Sequence, residues 1–192
     1  MDYSNQEKKM KKESTDFSAE QLINQAFKYH SEGNILEAAK YYQFFIDQGF
    51  KDHRVFSNYG VILKGLGKLQ EAEVHTRKAI EINPDLADGY LNLGIILTDL
   101  GQLKETEYLY RKAIEVKPDL ADSYFNLFQH YEKINNLEKL KESLNEFNQV
   151  DSIKNEILLF RARLCFRNKE HKNAQKLIDS IATQWIEKSN QF

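Results

Sequence analysis

The sequence predicts an all-α solenoid built from five stacked helix-turn-helix units. Residues 77–93, RKAIEINPDLADGYLNL, return at 111–127 as RKAIEVKPDLADSYFNL, with thirteen of seventeen positions identical at a spacing of 34. A fixed period of that length marks a helix-turn-helix repeat array. The composition agrees: two prolines and eight glycines in 192 residues are few for hairpins, while Leu, Lys, Glu, Ala and Gln favour helix on propensity. The apolar residues within each period also fall at i, i+3, i+4 and i+7, one face of a helix. The function to be explained is that of a stacked surface.

Charge and cysteine content exclude several classes. Lys plus Arg number 27 and Asp plus Glu 29, a net charge of −2, so there is no electrostatic footprint for a nucleic-acid backbone. Cys165 is the single cysteine. It can form no intrachain disulfide and reads as a small buried core residue. The N-terminus lacks the apolar core of a signal peptide, and no run approaches the roughly 18 apolar residues of a membrane span. A soluble, cytoplasmic protein is expected.

Residues 1–18 form a polar leader in which Lys8, Lys9, Lys11 and Lys12 are balanced by Asp2, Glu7, Glu13 and Asp16. With too little apolar surface to offset ordering entropy, it is expected to be disordered. Pro84 and Pro118, placed at position 32 of a 34-residue unit, then divide the chain into 19–52, 53–86, 87–120, 121–154 and 155–188, with residues 189–192 as a tail.

The first unit has Leu22, Gln25, Ala26, Tyr29, Ala38, Tyr42 and Phe45 at positions 4, 7, 8, 11, 20, 24 and 27. The second has Phe56, Tyr59, Gly60, Leu63, Ala72, Thr76 and Ala79, with a polar residue at position 24. Tyr90, Leu93, Gly94, Leu97, Thr106, Tyr110 and Ala113 occupy the third. The fourth, with Tyr124, Leu127, Phe128, Tyr131, Leu140, Leu144 and Phe147, puts bulk where small residues sit elsewhere, so altered packing is expected. The fifth, with Leu158, Arg161, Ala162, Cys165, Ala174, Ile178 and Ile181, is degenerate. This pattern resembles the tetratricopeptide repeat, most closely in the second and third units. The resemblance implies a right-handed superhelix whose first helices line a concave surface.

The residue types have local reasons. Gly60, Gly94, Ala26 and Ala162 on the first helices, and Ala38, Ala72 and Ala174 on the second, let the two helices of a unit approach closely. Gly33, Gly67 and Gly101 at position 15 can take the left-handed conformation that ends the first helix, and Asn135 can replace them. Asp85 and Asp119 are expected to cap the following helices, whose first turns carry Asp88 and Asp122.

The resemblance implies that positions 2, 5, 6, 9, 12 and 13 face a groove. Position 6 reads Asn24, Asn58, Asn92, Asn126 and then Phe160. A side-chain amide offers one peptide unit both a donor and an acceptor, so a column of asparagines can hold an extended chain by its backbone. The run resembles the asparagine ladder in the repeat region of O-linked N-acetylglucosamine transferase. Glu20, Asp88, Asp122 and Glu156 at position 2 contrast with Arg54, and Lys64, Lys133, Arg163 and Arg167 add positive charge, so the groove is of mixed sign.

His30, His53, His75, His130 and His171 have no regular metal-ligand spacing. The stretch Lys64–Lys68, KGLGK, lacks the phosphate-loop spacing and a preceding strand, so it reads as an interhelical turn. No nucleophile stands with a base; no cofactor and no enzymatic activity are expected of this chain. The partner is expected to be a protein or peptide, with neither nucleic acid nor membrane. The alternative, from resemblance to repeats that precede bacterial sulfotransferase, methyltransferase or glycosyltransferase domains, is a substrate-recognition segment of such an enzyme. The last helix carries Ile181 and Trp185 with no capping helix after it, which leaves a face for self-association.

Overall fold

The computed structural model describes residues 17–147, 150, 154–167 and 169–179, excepting the side chains of residues 154–156. The polar leader to residue 16, the Glu156 side chain, and Ile181 and Trp185 lie outside the described residues. All ten described elements are helices: α1 Ala19–Ser31, α2 Ile35–Asp47, α3 His53–Gly65, α4 Leu69–Ile82, α5 Ala87–Asp99, α6 Thr106–Val116, α7 Ala121–Lys133, α8 Leu137–Glu146, α9 Lys154–Arg167 and α10 over 171–179. No strand occurs among the described residues. The chain divides into two compact units, Met1–Asn92 and Leu93–Phe192.

Helix starts and stops follow short-range chemistry. Ser18 caps α1. Its hydroxyl accepts from the Gln21 amide at 3.2 Å while the Gln21 side chain accepts from the Ser18 amide at 2.8 Å. This is a reciprocal capping box. Gly33, Gly67 and Gly101 have φ of 74°, 76° and 74°, and Asn135 follows at 54°. The unforeseen member is Lys169 at 62°, the same position in the fifth period. There the turn geometry persists although a lysine pays the steric cost. KGLGK is such a turn, with Leu66 closing α3 and Lys68 opening α4.

Asp85 and Asp119 do not cap helices as expected. The Leu86 amide donates to the Asn83 carbonyl and the Leu120 amide to the Lys117 carbonyl, so each Pro-Asp pair forms the centre of a tight turn. The helix begins two residues beyond the aspartate, which leaves Leu120 at the cap position without a side-chain cap. The Asp85 amide is met instead by the Asn83 side chain at 3.1 Å.

In the first unit, α1 packs on α2, α2 on α3, and α3 on α4. The core runs through Leu22, Ala26, Ala38, Tyr42, Phe45, Phe56, Leu63, Ala72 and Ala79; a fully buried Leu or Phe contributes about 1.5–3 kcal/mol. Gly60 lets α4 close in. A Cβ there would collide with Thr76 Oγ1 and lie 3.3 Å from the Ala72 carbonyl oxygen. The polar Thr76 is accommodated because its hydroxyl donates to that carbonyl at 2.8 Å.

In the second unit, a Cβ on Gly94 would press into the Tyr110 ring, 2.9 Å from Cδ1. Helix α6 begins three residues later in its period than α2, α4 and α8. Thr106 is its buried first residue, with its hydroxyl on the Leu103 carbonyl at 3.0 Å and on His130 Nδ1 at 2.7 Å. A side chain that satisfies the preceding turn competes with helix propagation. The bulk of the fourth period does change the packing: Phe147 stacks edge-on against Tyr124 at 4.8 Å, and Phe128 against Phe160 at 5.1 Å. Helix α8 is ten residues long, against fourteen for α4.

Helix α9 buries positions 3, 8 and 10, as α3 does, but adds position 6 and leaves positions 4, 7 and 11 half-buried. Its buried residues are Ile157, Phe160, Ala162 and Leu164, whereas Leu158, Arg161 and Cys165 are half-buried. At position 7 stands an arginine, which is costly to bury unpaired. Arg161 sits at the edge and donates to the Leu144 carbonyl at 3.2 Å and Asn145 Oδ1 at 2.9 Å. Cys165 is therefore not a full core residue.

Candidate functional site

In the first unit, α1, α3 and the start of α5 carry Asn24, Asn58 and Asn92. Asn24 is exposed, and Asn58 and Asn92 are half-buried. The Asn58 amide nitrogen donates to Tyr42 Oη at 3.3 Å, and the same phenol lies 3.1 Å from His30 Nδ1. Burial pushes the Tyr42 phenol above its ordinary range, with the Asn58 hydrogen bond pulling the other way. The Asn58 side chain is thus held through one of its two amide hydrogens.

Arg54 is less available than its position suggests. It makes a two-pronged contact with Asp52, at 3.0 Å through Nε and 2.7 Å through Nη2, and its guanidinium lies 5.5 Å from the Phe27 ring centroid. The Asp52 carboxyl is held below its usual range, first by the Arg54 side-chain bond, and its oxygen also caps α3 through the Arg54 amide at 2.8 Å. Lys64 is half-buried and Asp88 exposed.

The second unit places Asn126 in the wall of a polar concavity of about 300 Å³. Its amide nitrogen donates to the Asp122 carbonyl at 2.8 Å; Asp122 itself is exposed. Gln129, Glu132, Lys133 and Arg163 share the wall. Lys133 Nζ donates to the Thr98 carbonyl at 3.0 Å, and Arg163 Nη1 pairs with Glu132 at 2.7 Å. The floor is Tyr110 and His130. Burial lowers the affinity of the His130 imidazole for a proton, against the pull of Glu107.

Where the asparagine series ends, Phe160 opens a second, apolar concavity of about 320 Å³, with Phe125, Leu159 and Phe166 around it. Sequence reasoning missed this site. Part of the signal was present, since position 5 reads Phe125 and Leu159 in the last two periods and position 12 ends on Phe166, but only α7, α9 and α10 together line the concavity. A third feature lay outside the expected groove: His75, whose Nδ1 is buried without a hydrogen-bond partner, beside Phe56 and exposed Val74 in a 490 Å³ depression.

Among the described residues no group of three or more His, Cys, Asp or Glu is placed to hold a metal ion, and no helix is long and apolar enough to cross a membrane. Residues 53–86 and 75–108 match family models described as tetratricopeptide repeat. None of the functionally curated proteins matches the sequence significantly.

Solved structures share the fold. A form of MamA from Desulfovibrio magneticus has a TM-score of 0.73 at 20% identity, over 86% of this chain and 93% of that one. A tetratricopeptide repeat protein from Parabacteroides merdae has a TM-score of 0.74 at 16% identity, over 87% and 66%. YrrB, titled a TPR protein with an unusual peptide-binding site, has a TM-score of 0.69 at 16% identity, over 91% and 89%. Residues 53–108 of this chain therefore carry tetratricopeptide repeats, and the described chain has the fold of a tetratricopeptide-repeat solenoid.

Proposed function

We propose that the protein is a five-repeat interaction scaffold, without catalytic chemistry of its own, that holds an extended segment of a partner protein along its first helices. Asn24, Asn58, Asn92 and Asn126 would contact the partner's backbone, with Lys64, Asp88 and Asp122 beside them. The observation that carries the reading is the anchoring of Asn58 and Asn126. Each donates one amide hydrogen to the protein, and a side-chain amide so held still has a second N–H and its carbonyl oxygen for a peptide unit. YrrB, of the same fold, is described as having a peptide-binding site.

Four such hydrogen bonds at about 1 kcal/mol each correspond only to roughly millimolar affinity, so pockets for side chains must supply the remainder. The test is calorimetric titration of peptides selected from a random display library against the wild type and the triple variant Asn58→Ala, Asn92→Ala, Asn126→Ala. Losing three bonds predicts about a hundredfold weaker binding at unchanged helicity. Equal affinity in both proteins would remove the asparagine series from the function.

A further inference from the structure

Resting on the scaffold reading, we propose that the apolar concavity between α7, α9 and α10 is a specificity pocket for one large apolar side chain of the partner, and that the partner carries a carboxylate next to that side chain. At about 320 Å³ the cavity lies at the small end of ligand pockets, which span roughly 300–1,000 Å³. Its base is Phe160, 2% exposed and held edge-on by Phe125 and Phe128 at 5.6 and 5.1 Å. Its lips are Leu159, 53% exposed, and Phe166, 46% exposed. A rigid aromatic base under two exposed apolar lips releases water when a large side chain enters, and that release drives association.

The second half of the recognition comes from Arg163. Its guanidinium lies 5.0 Å from the Phe160 ring centroid, so one residue walls the apolar cavity and also lines the polar one that holds Asn126. Among the described residues three cations meet Glu132 and Asp99 here: Glu132 takes Arg163 at 2.7 Å and Arg167 at 3.9 Å, Lys133 donates to the Thr98 carbonyl, and Asp99 acts on Tyr110 of the same polar cavity. This local excess of positive charge is complemented by an acidic group on the ligand. A segment whose apolar side chain fills the cavity brings its neighbouring residue to the Arg163 rim, where an aspartate or glutamate is favoured and a lysine is opposed.

The test pans a random peptide phage library on the full chain and on two variants, Leu159→Asp and Lys133→Glu, both at exposed positions, with circular dichroism to confirm equal helicity. Support is enrichment on the wild type of peptides with Phe, Leu, Ile or Trp beside Asp or Glu, binding at least tenfold weaker to Leu159→Asp, and a swing toward basic neighbours on Lys133→Glu. Enriched peptides that lack this pair, or that bind Leu159→Asp as well as wild type while being lost on the Asn58/Asn92/Asn126 variant, would overturn the pocket and leave the scaffold standing. No enrichment on any protein would overturn both. A photo-reactive residue introduced at position 159 that cross-links to the chain's own residues in place of the peptide would also overturn the assignment.

Discussion

Replacing Gly60 by alanine sets two effects of opposite sign against each other. In a helix interior, glycine to alanine is worth up to about 1 kcal/mol of added stability from backbone entropy and propensity. At Gly60, however, the new methyl meets Thr76 Oγ1 and approaches the Ala72 carbonyl oxygen to 3.3 Å. Both belong to α4, and Thr76 and Ala72 are fully buried. Pushing α4 away costs about 1–3 kcal/mol as overpacking. Rotating Thr76 instead breaks its 2.8 Å bond to Ala72 and strands a buried hydroxyl, a penalty of about 1–3 kcal/mol. The packing cost wins, and Gly60→Ala is expected to be destabilised by about 1–2 kcal/mol net.

The assay is urea unfolding followed by far-UV circular dichroism, with the m value compared so that a change of midpoint reads as a change of stability. Gly65→Ala is the control, since nothing lies within 4 Å of a Cβ there; it is expected to be neutral or slightly stabilising. The double variant Gly60→Ala with Thr76→Ala removes the obstructing hydroxyl and should recover at least half of the loss. A Gly60→Ala protein as stable as Gly65→Ala would refute the reasoning, because the close approach of α4 would then carry no energy.

Lys169→Gly should stabilise by about 1 kcal/mol, since it relieves a left-handed lysine at φ 62°; an unchanged urea midpoint would contradict this. Burial opposes ionisation of Glu107, but the hydrogen bonds from Lys139 at 2.7 Å and Tyr131 at 2.9 Å outweigh it, so the carboxyl titrates below its ordinary value. Its contribution is complete above the unfolded-state pKa of ~4.3 and is lost as pH falls through the depressed folded value. Glu107→Gln should accordingly flatten the acid limb of a Tm-against-pH curve. His130 and His75, both held neutral chiefly by burial, contribute stability that is present above about pH 6.5 and drains away below it. His130→Gln should weaken that slope near neutrality, and an unaltered slope would show that His130 gains its proton without cost.

Much of the fold was legible because the repeat writes local rules in register. The glycines at 33, 67 and 101 and the asparagine at 135 declared left-handed turns through their own backbone preferences. Lys169 did not, because its conformation is imposed by the turn it completes and not by the residue. The capping box at Ser18 and Gln21 is equally local, although residues 1–18 read as a polar leader. The aspartates after the prolines misled because capping and turn residues share one chemistry, and only the helix start distinguishes the two roles.

What the sequence alone determined was periodicity: which residues repeat at 34, which are small, and which asparagines share a helix position. Tertiary structure decided how those positions are spent. Asn58 finds Tyr42 and Arg54 finds Phe27, partners that only folding makes adjacent, whereas Asn126 to Asp122 and Arg54 to Asp52 are local contacts. The burial of Phe160 at position 6 of α9, and the apolar cavity over it, arose the same way. Arg161 stays half-buried on the Leu144 carbonyl and Asn145, while Phe160 is buried against Phe125 and Leu159 stands exposed beside it. Desolvation and side-chain volume act on neighbours in space, and a one-dimensional period does not contain them.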